Sequence, residues 1–171
     1  MELHMQSHRY VQRLQDWRAA VISGLVAGVV FIVFELLAAR FLLYQGPWGT
    51  VKMVAAIMLG QQALSADAFT WSIVLAAGTV HFALSIVLAL ILALVMAPFR
   101  FDSSLGMAAL VGGVFGATVY VVNFYLFTSY FNWFDAARGW ESFFAHIVFG
   151  VVAADAYTHI ERPEPDPQGT S

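Results

Sequence analysis

The chain has 171 residues, 60% of them hydrophobic and 11% charged, with a formal net charge of -3 and a mean hydropathy of +0.74. A water-soluble domain carries about a quarter charged residues, so lipid must solvate most of this chain, and its scattered charges form no basic cluster suited to nucleic acid. Cysteine is absent, which excludes disulfides, thiolate metal sites, iron–sulfur clusters and covalent c-type haem.

Ahead of the first apolar run, Tyr10, Val11, Leu14 and Trp17 share one helical face, flanked by Arg9, Arg13 and Arg18. That pattern predicts an N-terminal helix lying in the membrane interface. The run over 19–43 is longer than the ~20 residues a bilayer crossing needs. It is too long for a signal-peptide core and reads as a retained span. The connection 44–69 opens with Gly46-Pro47-Trp48-Gly49-Thr50, then places Val51, Val54, Ala55 and Met58 at helical spacing, and Gly60 ends the pattern. A short interfacial helix between spans 1 and 2 is expected there. A re-entrant half-helix is the alternative, and its backbone would need protein or water cover.

A second span covers 70–97, and the polar turn Pro98-Phe-Arg-Phe-Asp-Ser-Ser104 separates it from a third over 105–128. A loop with Asp135 and Arg138 leads to a fourth span over 139–158. The proline-rich stretch 161–171 has no apolar residue and is expected to be disordered. The fold class is therefore an all-α membrane protein: a four-helix up-down transmembrane bundle forming a single membrane domain over 1–160. Short connections place sequence-adjacent spans antiparallel and side by side. With both termini in the cytoplasm, Arg9, Arg13, Arg18, Arg100 and Arg162 fall inside and Arg40, Lys52 and Arg138 outside, the direction favoured by the positive-inside rule.

The second half resembles the first. Gly24, Gly28 and Glu35 recur as Gly112, Gly116 and Asn123 at the same offsets. His81 and His146 sit in the spans that follow, each with a small residue four positions later, Ser85 and Gly150. Two tandem two-helix repeats related by an axis along the membrane normal would explain this; chance similarity among Ala/Gly/Val-rich helices would too.

At 100° per residue, positions 24, 28, 31 and 35 share one face, as do 112, 116, 119 and 123. Small residues let helix backbones approach closely in lipid, so the four glycines are expected at packed seams, with Glu35 and Asn123 turned into the bundle. Glu35 lies nine residues before Tyr44, about 13 Å below that interface at ~1.5 Å per residue. His81, Asn123 and His146 fall in the same half of the membrane, giving an expected buried polar cluster of Glu35, His81, Asn123 and His146. Asp155 lies on the opposite face from His146, near the inner surface, with His159 one turn away.

Four roles for that cluster remain open. Inter-helix hydrogen bonds can hold the bundle together at ~1 kcal/mol or less each. A membrane carboxylate with imidazoles can handle protons or ions. His81 and His146 can supply both axial ligands of a haem b. Those two imidazoles with the Glu35 carboxylate also suit several first-row metal ions. No HExxH spacing is present, Gly112-Gly113 lies inside a span rather than between strand and helix, and Ser85 and Ser142 near histidines lack an oxyanion device. No residue is assigned a catalytic role.

Gly46-Pro47-Trp48-Gly49, His81-Phe82-Ala83-Leu84-Ser85, Val122-Asn123-Phe124-Tyr125, Trp133-Phe134-Asp135-Ala136-Ala137-Arg138 and Phe144-Ala145-His146 resemble a family of small bacterial inner-membrane proteins with four predicted spans. The resemblance covers nearly all of the membrane part and implies that fold and location. Some members are labelled sodium/proline symporter, although four spans are too few for the discontinuous-helix repeats of such symporters. It assigns no residue a role. Three functions follow as expectations: an accessory or small subunit of a larger bacterial membrane complex, a respiratory or redox assembly being one such; a haem- or metal-binding electron carrier using His81 and His146; and a small oligomeric proton- or ion-linked transporter or channel. The partners expected are the lipid bilayer and other membrane subunits or further copies of the chain.

Overall fold

The computed structural model describes residues 15–44, 46–99 and 104–161. The expected amphipathic segment before Trp17 and the tail beyond Glu161 lie outside the described residues. Five α-helices account for most of the rest: α1 (Trp17–Leu37), α2 (Trp48–Leu59), α3 (Trp71–Phe99), α4 (Leu105–Val121) and α5 (Trp140–Ile160). Four continuous helical stretches are long and apolar enough to cross a membrane: Trp17–Leu42, Trp71–Met96, Leu105–Ser129 and Trp140–Ile160. The chain is an all-α, multi-pass membrane bundle.

Local chemistry sets the helix ends. Asp16 caps α1 by accepting from the backbone N–H groups of Arg18 and Ala19, both at 3.0 Å, and Ser104 caps α4 through the Met107 N–H at 3.2 Å. Such caps satisfy orphan donors of the first turn. Two spans end by widening: α1 continues as a π turn over Ala38–Leu42 and α4 as another over Val122–Leu126. In each, a backbone N–H bonds five residues back, Leu43 to Ala38 and Phe127 to Val122. Tyr44, in the left-handed region at φ 53°, then turns the chain out of the first span. Gly60, at φ 83°, ends α2 in a backbone conformation that glycine adopts without a steric penalty.

The helices pack in the lateral order α3, α1, α5, α4, with α2 against α3. The α1–α3 and α4–α5 seams are built on the same plan. A Cβ on Gly24 would stand 2.8 Å from the Ser85 carbonyl oxygen and 2.9 Å from Ala89 Cβ. On Gly112 it would overlap the Gly150 carbonyl and stand 2.8 Å from Ala154 Cβ. Both glycines thus meet the carbonyl four residues after the histidine and the alanine methyl eight residues after it. Gly28 and Gly116 each meet the residue that follows the histidine, Phe82 and Ile147. Two matched helix pairs built by one sequence pattern account for this correspondence.

The halves join through α1 and α5, whose alanines Ala19, Ala20, Ala27, Ala153 and Ala154 are fully buried. At one end of that seam the Asp16 N–H donates to the Tyr157 hydroxyl at 3.3 Å. Side-by-side packing of sequence neighbours does not extend to α3 and α4, which touch sparsely. No small-residue pair draws those two backbones together: Gly78 and Gly106 have open space where a Cβ would stand. Instead α2 covers one end of α3, burying Ala55 and Ala56 with Ile73, Ala76 and Ala77. Trp133, from the loop before α5, donates its indole N–H to the Met53 carbonyl at 3.1 Å and ties α2 to the second half.

Gly112→Leu and Gly24→Leu are expected to force their seams apart and destabilise the protein by about 1–3 kcal/mol or more. Gly113→Ala, whose new Cβ would sit 3.7 Å from Val151 Cγ2, and Gly78→Ala, in open space, are expected to stay within about 0.5 kcal/mol of wild type. Thermal melts of the four purified variants in detergent test this; equal stability of the leucine and alanine variants would contradict the seam geometry.

Candidate functional site

The polar side chains singled out by sequence lie at three seams rather than around one point. At the α1–α3 seam, His81 Nε2 is 2.8 Å from the Gly28 carbonyl oxygen. A carbonyl only accepts, so this nitrogen carries the proton and donates. Ser85 donates its hydroxyl to the His81 carbonyl one turn back at 2.9 Å, while its Oγ would be 2.8 Å from a Cβ on Gly28. Glycine at 28 is what lets the imidazole reach a main-chain oxygen on the neighbouring helix.

At the α4–α5 seam, His146 uses both ring nitrogens. Its Nδ1 donates to the Ser142 carbonyl at 2.7 Å, and the Asn123 carboxamide N–H donates to Nε2 at 3.1 Å. The two partners together specify the neutral Nδ1–H tautomer. Asn123 stands inside the π turn of α4, where the widened backbone shifts the facing of its side chains relative to a regular helix; such turns recur at functional positions. The adjacent Phe124 carbonyl, in the same turn, accepts from the Arg138 guanidinium at 2.7 Å and from the Thr128 hydroxyl at 3.1 Å.

At the α1–α5 seam the Ser142 hydroxyl donates to Glu35 Oε1 at 3.1 Å. Ser142 therefore serves Glu35 with its side chain and His146 with its carbonyl. Phe31, one turn before Glu35, packs against both imidazoles, its ring centroid 5.7 Å from that of His81 and 4.9 Å from that of His146. Glu35, His81, Asn123 and His146 are gathered near Phe31, but only Asn123 and His146 bond one another directly. Asp155 and His159 pair with each other on the surface, Nδ1 to carboxylate at 3.6 Å.

This arrangement does not fit a haem or a metal ion. Axial ligation needs an imidazole nitrogen with a free lone pair aimed at the iron, whereas both nitrogens of His146 and Nε2 of His81 are already bonded and Phe31 lies against both rings. Among the described residues no group of three His, Asp or Glu side chains converges on a point a metal could occupy. The expected set of His81, His146 and Glu35 is split between two seams because Glu35 faces α5 while His81 faces the backbone of α1.

Two contributors were not singled out by sequence. Ser142, beside the histidine, reads in the sequence as a packing contact rather than a nucleophile, and it is the link between Glu35 and α5. Glu141, at the head of the fourth span, is 7% exposed. Its carboxylate folds back over Gly139 at the start of α5. The available signal was its place one residue before Ser142, on a helix whose next turns carry His146 and Gly150.

Comparison of the chain with protein-family models, curated proteins and solved structures found no match.

Each polar link is expected to contribute about 0.5–1 kcal/mol of coupling across its seam. Double-mutant cycles over Asn123→Leu with His146→Leu, and over Glu35→Leu with Ser142→Ala, measure this. Glu35→Leu with Thr158→Val, at the far end of α5 and with no shared partner, should show much less coupling than either.

Proposed function

We propose that this chain is a non-catalytic accessory or small subunit of a larger complex in the bacterial inner membrane, with both termini cytoplasmic. The observation that carries the reading is how its polar groups are used: Glu35, His81, Asn123, Ser142 and His146 all bond across or along helix seams. Groups engaged in this way fix helix register and rotation. A respiratory or redox assembly is one setting for such a subunit, the redox groups residing in its neighbours. The four-span resemblance supports the location.

The exterior suits lateral association. Leu75, Leu84, Leu110 and Val114 are exposed apolar side chains on the spans. Gly78 and Gly106 leave notches on α3 and α4, where another helix backbone can approach. Trp71, Tyr130 and Trp140 are exposed at the ends of spans, the depth at which aromatic rings anchor helices to the interface.

Extracted in mild detergent from the membrane of its own cell, the tagged chain is expected to elute with a fixed, stoichiometric set of membrane proteins, and Gly78→Leu or Gly106→Leu to lower their yield without altering the chain's own stability. Elution as a lone monomer, or with stoichiometric haem absorbance or bound metal, would overturn the reading.

A further inference from the structure

We propose that the N-terminal end of α1 binds one anionic phospholipid, its phosphate held by the Arg18 guanidinium and an acyl chain laid along the exposed face of the helix. A shallow cleft of about 360 Å³ lies over Trp17, Arg18, Val21 and Ile22, and its lining is almost wholly apolar. At 100° per residue, Arg18, Ile22, Leu25, Val29 and Val33 fall within an arc of about 80° on α1. The four apolar members are 39–51% exposed, while Ala19, Ala20 and Ala27 are buried on the other side of the helix. Arg18 therefore stands at the head of an apolar stripe. From Ile22 to Val33 that stripe runs about 16 Å, close to half of the ~30 Å hydrocarbon thickness of a bilayer. One acyl chain of a single leaflet covers that depth.

Among the described lysines and arginines, Arg18 alone is uncommitted. Lys52 donates to the Ala66 carbonyl at 3.2 Å, Arg138 donates to the Phe124 carbonyl at 2.7 Å and pairs with Asp135, and Arg40 lies over the Phe41 ring at 5.7 Å. The Arg18 side chain makes no hydrogen bond, ion pair or ring contact with any described residue. Asp16, two residues before it, is turned to the backbone N–H groups of Arg18 and Ala19. That carboxylate caps the helix, so the anion site is the guanidinium and not the helix end. Asp155 and His159, at the same end of α5, pair with each other. A guanidinium offers paired donors that match a phosphate, and its aliphatic stem can rest on the stripe while the head stays at the interface. Trp17, 51% exposed beside it, is the ring type found at headgroup depth. A free phosphate would use Arg18 alone, whereas a phospholipid also fills the cleft and covers the stripe. An anionic headgroup leaves its phosphate charge for Arg18; in a choline lipid the ammonium already balances it.

The test is native mass spectrometry of the full-length protein, released from detergent micelles that hold equal amounts of phosphatidylglycerol and phosphatidylcholine with the same acyl chains. One phosphatidylglycerol per chain is expected to be retained in preference to phosphatidylcholine. Arg18→Gln should weaken that retention roughly five-fold, the effect of one cation at a membrane surface. Arg40→Gln, at the other end of the same span, should leave it unchanged, and inorganic phosphate at millimolar concentration should not displace the lipid. The proposal is overturned if wild type retains both lipids equally, if Arg18→Gln retains phosphatidylglycerol as wild type does, if Arg40→Gln loses it to the same extent, or if inorganic phosphate displaces it. The headgroup preference of the wild type decides alone should Arg18→Gln fail to fold.

Discussion

Close approach of helix backbones at glycine is the constraint on which the other interactions depend. In a bilayer the surroundings are as apolar as the helix faces, so association rests on short-range dispersion and on polar contacts. Dispersion fades when surfaces separate by even a fraction of an ångström to an ångström. Gly24, Gly28, Gly112, Gly116 and Gly150 remove the side chains that would hold the axes apart, and neighbouring carbonyls, or at Gly28 the Ser85 side chain, occupy the vacated space. Only then can His81 touch the main chain of α1 and Asn123 reach across to His146. The polar bonds add direction to a contact already made by small residues. They fix rotation, because a helix turned by one residue would carry its donor 100° away from the acceptor.

Much of this was legible in the chain itself. Span boundaries follow from hydropathy and length, and the glycine faces follow from 3.6-residue periodicity, because both depend on positions within a single helix. Partner choice does not. Glu35, His81, Asn123 and His146 were expected in one cluster, with no pairing assigned; Glu35 bonds Ser142 and His81 bonds a backbone carbonyl, a group no side-chain pattern reveals. The widening of α4 at Val122–Leu126 shifts the facing of Asn123 by an amount that regular periodicity cannot supply. Glu141 was hidden for a different reason. A carboxylate near the head of a span reads as interfacial, and only the fold of the preceding loop, with its side chain laid back over Gly139, shows it to be covered. The sparse α3–α4 contact was hidden because a short connection constrains where two helix ends lie, not which faces attract.

The two halves share a sequence pattern, and their packing agrees up to a definite point. Within each half the first glycine of the pair, Gly24 or Gly112, meets equivalent atoms of the histidine's helix, while Gly28 meets side chains and Gly116 meets backbone. Between the halves, equivalence would require α4 to meet α3 as α1 meets α5. The residue of α3 that corresponds to Ser142 is Ala77, and it is buried under α2. An apolar alanine there offers Asn123 no hydroxyl, and α2 occupies the approach. Asn123 therefore turns to the histidine of its own half, while Glu35, whose counterpart hydroxyl exists on α5, crosses to the other. The exchange of carboxylate for carboxamide at one matched position follows the same logic. An amide can donate to the neutral Nε2 of His146, which an ionised carboxylate cannot do. A carboxylate can accept from Ser142, which places an ionisable group at the α1–α5 seam between the two halves.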